Sequence, residues 1–126
     1  MREHIVVKTI VMEGQDASNK KSAFLVLMHG DREVSTKQLA RLLAVKTVTT
    51  ASEAAVTKYT GYVAGGVSPF GTKQRLPVYV ESTVLALDRM FINGGKRGFL
   101  VELNPTELRK VLELTEVEVA IPAGHL

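Results

Sequence analysis

Residues 5–12 are apolar or β-branched on both alternating sides of an extended chain. Ile5, Val7, Thr9 and Val11 fall on one side, and Val6, Lys8, Ile10 and Met12 on the other. The pattern predicts an interior strand with one ammonium in it. The polar stretch Glu13 to Lys21 predicts a loop, and Ala23 to Met28 a second buried strand, ended at Gly30 and paired with the first. Ser35 and Gln38 have capping-box spacing, and Leu39, Leu42 and Leu43 follow at helical intervals, so residues 36–44 should form a helix. Val45 to Val48 is a short strand candidate. Ser52 then caps a helix through Ala54, Ala55 and Val56 that stops at Gly61.

From Gly61 to Gly71 the chain carries Gly61, Gly65, Gly66, Pro69 and Gly71, too much glycine and proline for regular structure, and a shaped loop is expected. Leu76 to Val80 and Arg89 to Ile92 read as strands, with a short helical turn at Val84 to Leu87 between them. Asn93 to Gly98 is a second glycine loop, ending in the basic pair Lys96-Arg97 before a strand from Phe99 to Leu103. Asn104, Pro105 and Glu107 stand as N-cap, first helical residue and capping partner of a helix carrying Leu108, Val111 and Leu112. Val117 to Ile121 closes as a strand, and residues 122–126 form a loose end. The sum is an α+β fold: one domain over residues 1–126, with a mixed, largely antiparallel sheet and helices packed on it.

A chain of 126 residues is long enough for one core and too short for two. The absence of cysteine excludes a disulfide scaffold, a thiolate metal site and a cysteine nucleophile, and fits a reducing compartment. No apolar run approaches a membrane span, and Met1-Arg2-Glu3-His4 does not lead into a signal peptide, so a cytoplasmic protein is expected. The net charge of +3 is uneven: residues 54–101 hold 6 Lys/Arg against 2 Asp/Glu, whereas residues 102–126 hold 2 against 5. Lys58, Lys73, Arg75, Lys96 and Arg97 stand among the glycines of that middle part, which fits a polyanion-facing surface.

His4, His29 and His125 have no metal-site spacing and read as ordinary surface histidines; no metal and no cofactor are expected. No nucleophile elbow, catalytic trio or phosphate loop of familiar hydrolases is present either. Lys8 stands out, because an ammonium on a strand apolar on both sides is costly to desolvate unless it is paired or has a task; a lysine guarding a sheet edge is the plain alternative. Two glycine loops, each with basic residues nearby, can bring main-chain amides close to a ligand.

The run Thr60 to Gly71, followed by Lys73-Gln74-Arg75-Leu76-Pro77, closely resembles the central motif of the YbaK family of aminoacyl-tRNA editing domains. Phe91-Ile92-Asn93-Gly94-Gly95-Lys96-Arg97-Gly98 with Glu102-Leu103 resembles its second motif, and Val7-Lys8-Thr9-Ile10 its lysine-bearing strand. Within the family the wording is most similar to bacterial Cys-tRNA(Pro) deacylases. The resemblance implies a barrel-like sheet and a trans-editing hydrolase that removes a wrong amino acid from tRNA(Pro). Deacylation of Ala-tRNA(Pro) or another small aminoacyl-tRNA, and a nonenzymatic tRNA- or nucleotide-binding module, are the alternatives. Family members usually carry a helix and strands before the lysine strand, so the chain is read as shortened at its N-terminus, and Leu100 stands where some relatives have an acidic residue.

An aminoacyl ester is already activated, so positioning and oxyanion stabilisation can suffice. The resemblance implies that in the cysteine branch the substrate's own thiol attacks its carbonyl and releases a cyclic thioester. It places Lys8, Gly65 and Gly66 at the reacting ester, with Tyr62, Ser68, Pro69, Gly94, Gly95 and Gly98 around the substrate. Lys73, Arg75, Lys96 and Arg97 are the candidates for the tRNA backbone. The partners implied are mischarged tRNA(Pro) and a prolyl-tRNA synthetase, with a homodimer covering the exposed sheet and no membrane.

Overall fold

The computed structural model describes residues 3–124. The chain forms β1 (Val6–Gln15), β2 (Lys21–His29), β3 (Arg32–Val34), α1 (Thr36–Leu43), β4 (Thr47–Thr50), α2 (Glu53–Thr60) and β5 (Val78–Glu81). It continues with β6 (Met90–Asn93), β7 (Leu100–Leu103), α3 (Pro105–Val111), β8 (Leu114–Val117) and β9 (Ala120–Pro122). Single 3-10 turns lie at Glu3–Ile5 and Val84–Ala86.

The main sheet runs β7-β6-β1-β2-β5-β8, with β4 also paired to β1, and β3 and β9 make a separate two-stranded ribbon. The β1–β2, β1–β4 and β6–β7 pairs are antiparallel, and β1–β6, β2–β5 and β5–β8 are parallel. End strands β7 and β8 do not pair with each other, so the mixed, largely antiparallel sheet has these two strands at its edges. Alternation along β1 and β2 gives the sheet two apolar faces. Val7, Val11, Leu25 and Leu27 pack on one with Val56 of α2 and Leu108 of α3; Met12, Phe24, Val26 and Met28 pack on the other with Leu39 of α1.

The three helices form as their caps dictate. The Ser35 and Ser52 hydroxyls accept from the amides of Gln38 and Ala55, and Asn104 with Glu107 closes a reciprocal capping box. Gly61 ends α2 in the left-handed conformation, φ +81°.

Three expectations need correction. The stretch from Glu13 to Lys21 is not a loop throughout. β1 runs to Gln15 and β2 begins at Lys21, because Asp16 takes the Ser18 and Lys20 amides at 2.8 and 2.9 Å and folds a tight turn between them. β3 is a strand with no sequence counterpart, stabilised by pairing with β9. The strand placed at Val117 to Ile121 is two strands: β8 pairs with β5, the chain turns at Glu118-Val119, and β9 pairs with β3. Buried Glu81 shapes that turn, one carboxylate oxygen accepting from the amides of Val119 and Ala120 at 2.7 and 2.9 Å. The helical turn between β5 and β6 is present as a 3-10 turn.

Candidate functional site

Along one side β1 is covered by β2 for its whole length after Val6. Along the other it meets β6 only at Val6 and Val7 and β4 only from Met12 onward. Residues 8–11 are left without a neighbouring strand on that side, and the Val11 carbonyl accepts the Ala51 amide. A cleft of about 280 Å³ lies at this gap, lined by Lys8, Thr9, Gly65, Asn93, Gly98 and Leu100 with parts of Val6, Val7 and Val67. The lysine and one glycine of each sequence-nominated loop therefore come together in one depression.

The loops are braced against each other. Arg97 donates from Nε to the Ala64 carbonyl at 3.1 Å. A Cβ added at Gly66 would stand 2.8 Å from the Arg97 amide nitrogen and 3.0 Å from the Lys96 carbonyl carbon, so only glycine lets the two backbones meet. Gly65 adopts φ +87° beside the Arg97 side chain. The Tyr62 ring lies against Gly95, and its hydroxyl donates to the Phe70 carbonyl. Buried Ser68 accepts the Phe70 amide at 3.1 Å. Asn93 organises the second loop: its side-chain oxygen accepts from Gly95 and Lys96, and its amide donates to the Lys96 carbonyl at 2.6 Å.

The nominated residues thus divide. Lys8, Gly65 and Gly98 line the cleft; Gly66, Tyr62, Ser68, Gly95 and Arg97 hold the loops, and Gly94 packs under Phe99. Pro69, Lys73 and Arg75 line a different, wider groove of about 750 Å³ with Gly71, Thr72, Val111 and Glu113. There Arg75 and Glu113 approach to 3.9 Å, almost fully exposed, a pairing that water largely screens. Lys96 is exposed on the rim of the second loop.

Two cleft residues escaped the sequence reading. The Thr9 hydroxyl oxygen is buried without a hydrogen-bond partner, an orphan among the described residues. Asn93 was visible only as an asparagine before a glycine pair, which is the composition of an Asx turn.

The histidines also need correction. His29 is fully buried, and its ring stacks on that of His4 with centroids 3.8 Å apart and planes 6° off parallel. His29 Nδ1 bonds the His4 carbonyl at 2.6 Å; that oxygen only accepts, so Nδ1 carries the proton and Nε2 of the neutral ring accepts from the Thr83 hydroxyl at 2.7 Å. Burial chiefly lowers the His29 pKa, against the His4 carbonyl that raises it. Asp31 bonds His4 Nδ1 at 3.0 Å; its pKa is lowered despite the burial that would raise it, through that bond and the charges of His4 and Arg32. The ligand atoms of His4, His29 and Asp31 lie within 4.8 Å of one another, but the stacked rings aim their lone pairs in parallel planes and both His29 nitrogens are engaged. This suits a clamp at the start of β1 better than a metal centre. His125 lies outside the described residues.

Among the described residues no helix is long and apolar enough to cross a membrane. The chain is 30% identical over 115 residues to a proposed Cys-tRNA(Pro)/Cys-tRNA(Cys) deacylase, EbsC, of Enterococcus faecalis, covering 91% of this chain and 66% of that protein. It is 25% identical over 117 residues to a proline–tRNA ligase of Ralstonia nicotianae, covering 85% of this chain and 20% of the ligase. Its fold matches a proposed trans-editing enzyme for prolyl-tRNA synthetase at a TM-score of 0.82, with 24% identity over 94% of this chain and 71% of that one. It also matches the hypothetical protein APE2540 at 0.83, with 24% identity over 96% and 77%. The profile described as the aminoacyl-tRNA editing domain matches residues 1–111, spanning the lysine strand, both braced loops and α3, and the chain belongs to that family.

Proposed function

We propose that this chain is a trans-editing hydrolase that deacylates mischarged tRNA(Pro), with Cys-tRNA(Pro) as its preferred substrate. One observation carries the reading: Lys8 shares a small cleft with Gly65 and Gly98 at the stretch of β1 that has β2 on one side and no strand on the other, between β6 and β4. Family membership and the likeness to the deacylase EbsC support the reaction class.

In this reading the ester linking the amino acid to the terminal ribose lies against the open stretch of β1. The Lys8 ammonium binds ester and ribose oxygens, and main-chain amides of the Gly65 loop stabilise negative charge developing on the carbonyl oxygen. The orphan Thr9 hydroxyl is the further polar group available there. For a cysteinyl ester, the thiol sulfur attacks its own carbonyl carbon, the carbon–oxygen ester bond breaks, and the ribose oxygen takes the thiol proton. No protein nucleophile is required. Lys73, Arg75 and Lys96 are the candidates for acceptor-stem phosphates, and a prolyl-tRNA synthetase is the partner that would present mischarged tRNA. A homodimer remains the oligomeric proposal.

The test follows ester loss from Cys-tRNA(Pro) and Ala-tRNA(Pro) with the wild-type chain and Lys8→Ala. The expected result is faster loss of the cysteinyl ester and a fall of roughly 100-fold or more in the variant, the scale of one lost electrostatic donor. Faster loss from Ala-tRNA(Pro) overturns the cysteine preference. Folded wild-type protein with no turnover of either ester overturns the enzymatic reading.

A further inference from the structure

We propose that Thr9 holds the amino end of the substrate: its main-chain carbonyl and its side-chain hydroxyl are the acceptors for the free α-amino group of the aminoacyl ester. This rests on the reading of the cleft as the deacylation site.

The position follows from the strand ladder. The Val6 carbonyl accepts the Gly30 amide on the β2 side, while the Val11 carbonyl accepts the Ala51 amide on the other side. Main-chain groups of alternate residues point the same way along a strand, so those of Val7, Thr9 and Val11 face away from β2. Val7 is paired with Ile92 of β6, and Val11 has Ala51. Thr9, between them, lies where pairing with β6 has ended and pairing with β4 has not begun. Its N–H and C=O form an open rung at the cleft that Thr9 lines.

The side chain adds a second acceptor. Val7 and Val11, on the same face of the strand, are buried in the core, and a valine at position 9 would continue their pattern. Threonine stands there instead, its hydroxyl oxygen sealed from solvent without a hydrogen-bond partner. An unpaired buried hydroxyl costs stability, and a binding task accounts for keeping it. Having no partner, it gives up no hydrogen bond when χ1 turns it toward a ligand.

The chemistry of the occupant follows from what else lines the cleft. The Lys8 ammonium and the amides of Gly65 and Gly98 are donors, suited to ester and ribose oxygens. The Asn93 side-chain oxygen already accepts from Gly95 and Lys96. An aminoacyl ester also presents an amine, which needs acceptors, and Thr9 offers two beside those donors. Lys8 and Thr9 leave β1 on opposite faces, which keeps the ammonium away from the amine.

The probes are 3′-amino-3′-deoxyadenosine acylated with cysteine or with 3-mercaptopropionic acid, which is cysteine without its amine; both amides resist deacylation. Calorimetric titration should show the wild-type chain preferring the cysteinyl probe. Thr9→Val should lose about tenfold of that preference, the worth of one hydrogen bond, by weakening on the cysteinyl probe alone. The carbonyl keeps the remainder, and Thr9→Ser should match wild type. Thr9→Val should also unfold in urea at the wild-type midpoint or above it, because it removes an unpaired hydroxyl and keeps the shape. No preference in the wild-type chain, a Thr9→Val that weakens both probes equally or neither, or a lowered midpoint overturns the proposal. In turnover, Thr9→Val should lower kcat/KM for Cys-tRNA(Pro) by about tenfold and leave 3-mercaptopropionyl-tRNA(Pro) at the wild-type rate. A Thr9-dependent preference in a chain that turns over neither ester upholds the amine site and overturns the hydrolase reading; turnover of both esters unaffected by Thr9→Val overturns the amine site alone.

Discussion

Gly66 and Gly61 separate two reasons for glycine, and the difference can be measured. At Gly61 the requirement is conformational, φ +81° at the end of α2, while an added Cβ would meet only Lys73 Cβ at an ordinary 3.6 Å. Gly61→Ala is expected to cost about 1 kcal/mol, seen as a modest fall in the thermal midpoint, with deacylation kept. At Gly66 φ is not positive, and the obstacle is the backbone of Arg97 and Lys96. Alanine there forces the loops apart, and since a displacement near 1 Å costs about 100-fold in a positioned reaction, Gly66→Ala is expected to lose at least tenfold in single-turnover deacylation. Equal effects of the two substitutions on activity would mean that the loop contact does not set the cleft. Of the residues that line the cleft, Lys8 was marked in the sequence by the cost of desolvating an ammonium on an apolar strand and by motif wording, and Gly65 and Gly98 by glycine-loop composition and motif wording alone. Thr9 was not, since an orphaned hydroxyl exists only once its surroundings are packed. Tyr62 and Ser68 carried the motif's wording too, yet they bond Phe70 and hold the loop.

At the scale of elements, the helices were legible and the strand ends were not. α2 begins after Ser52 and stops at Gly61 as its caps announce, because capping is satisfied within a few residues of chain. The tail of β1, Glu13 to Gln15, looks polar and contains Gly14, but pairing with β2 on one side and β4 on the other makes it strand. β8 and β9 were merged for the same kind of reason, as the break between them depends on Glu81, 38 and 39 residues earlier in the chain than Val119 and Ala120. That carboxylate gives a test. Glu81→Ala leaves two backbone amides, one fully buried, without their acceptor and is expected to destabilise by roughly 2–4 kcal/mol in urea unfolding. Glu81→Gln keeps one side-chain oxygen and should lose less than half as much. If both variants unfold at the wild-type midpoint, the turn is held by its strands alone.

For the whole molecule, the 3-10 turn that leads into β1, with His4 four residues before Lys8, is tied to the end of β2 by the His4–His29–Asp31 clamp, and this makes stability depend on pH. His29 faces His4, Asp31 and Glu81, with the neutral Thr83 hydroxyl on its second nitrogen. Its folded-state pKa lies below the 6.5 of an unhindered imidazole, so the unfolded chain binds the proton first as the solution is acidified. The contribution of His29 is complete above 6.5 and is lost as pH falls through its lower folded value. Asp31 acts in the same sense further down, its folded pKa lying below 3.8. Urea midpoints measured from about pH 8 to about pH 5 should therefore decline for the wild-type chain, mostly below 6.5. In His29→Gln, which cannot titrate, the midpoint should be lower at neutral pH because a buried hydrogen-bond relay is broken, and its decline with acid should be shallower. Parallel slopes would place the acid sensitivity elsewhere in the molecule. Deacylation measured on the same samples links the clamp to the cleft: if acid loosens this end of β1, wild-type activity should fall with the midpoint faster than the scissile ester's own reactivity changes, while His29→Gln should lose less of its neutral-pH activity over the same interval.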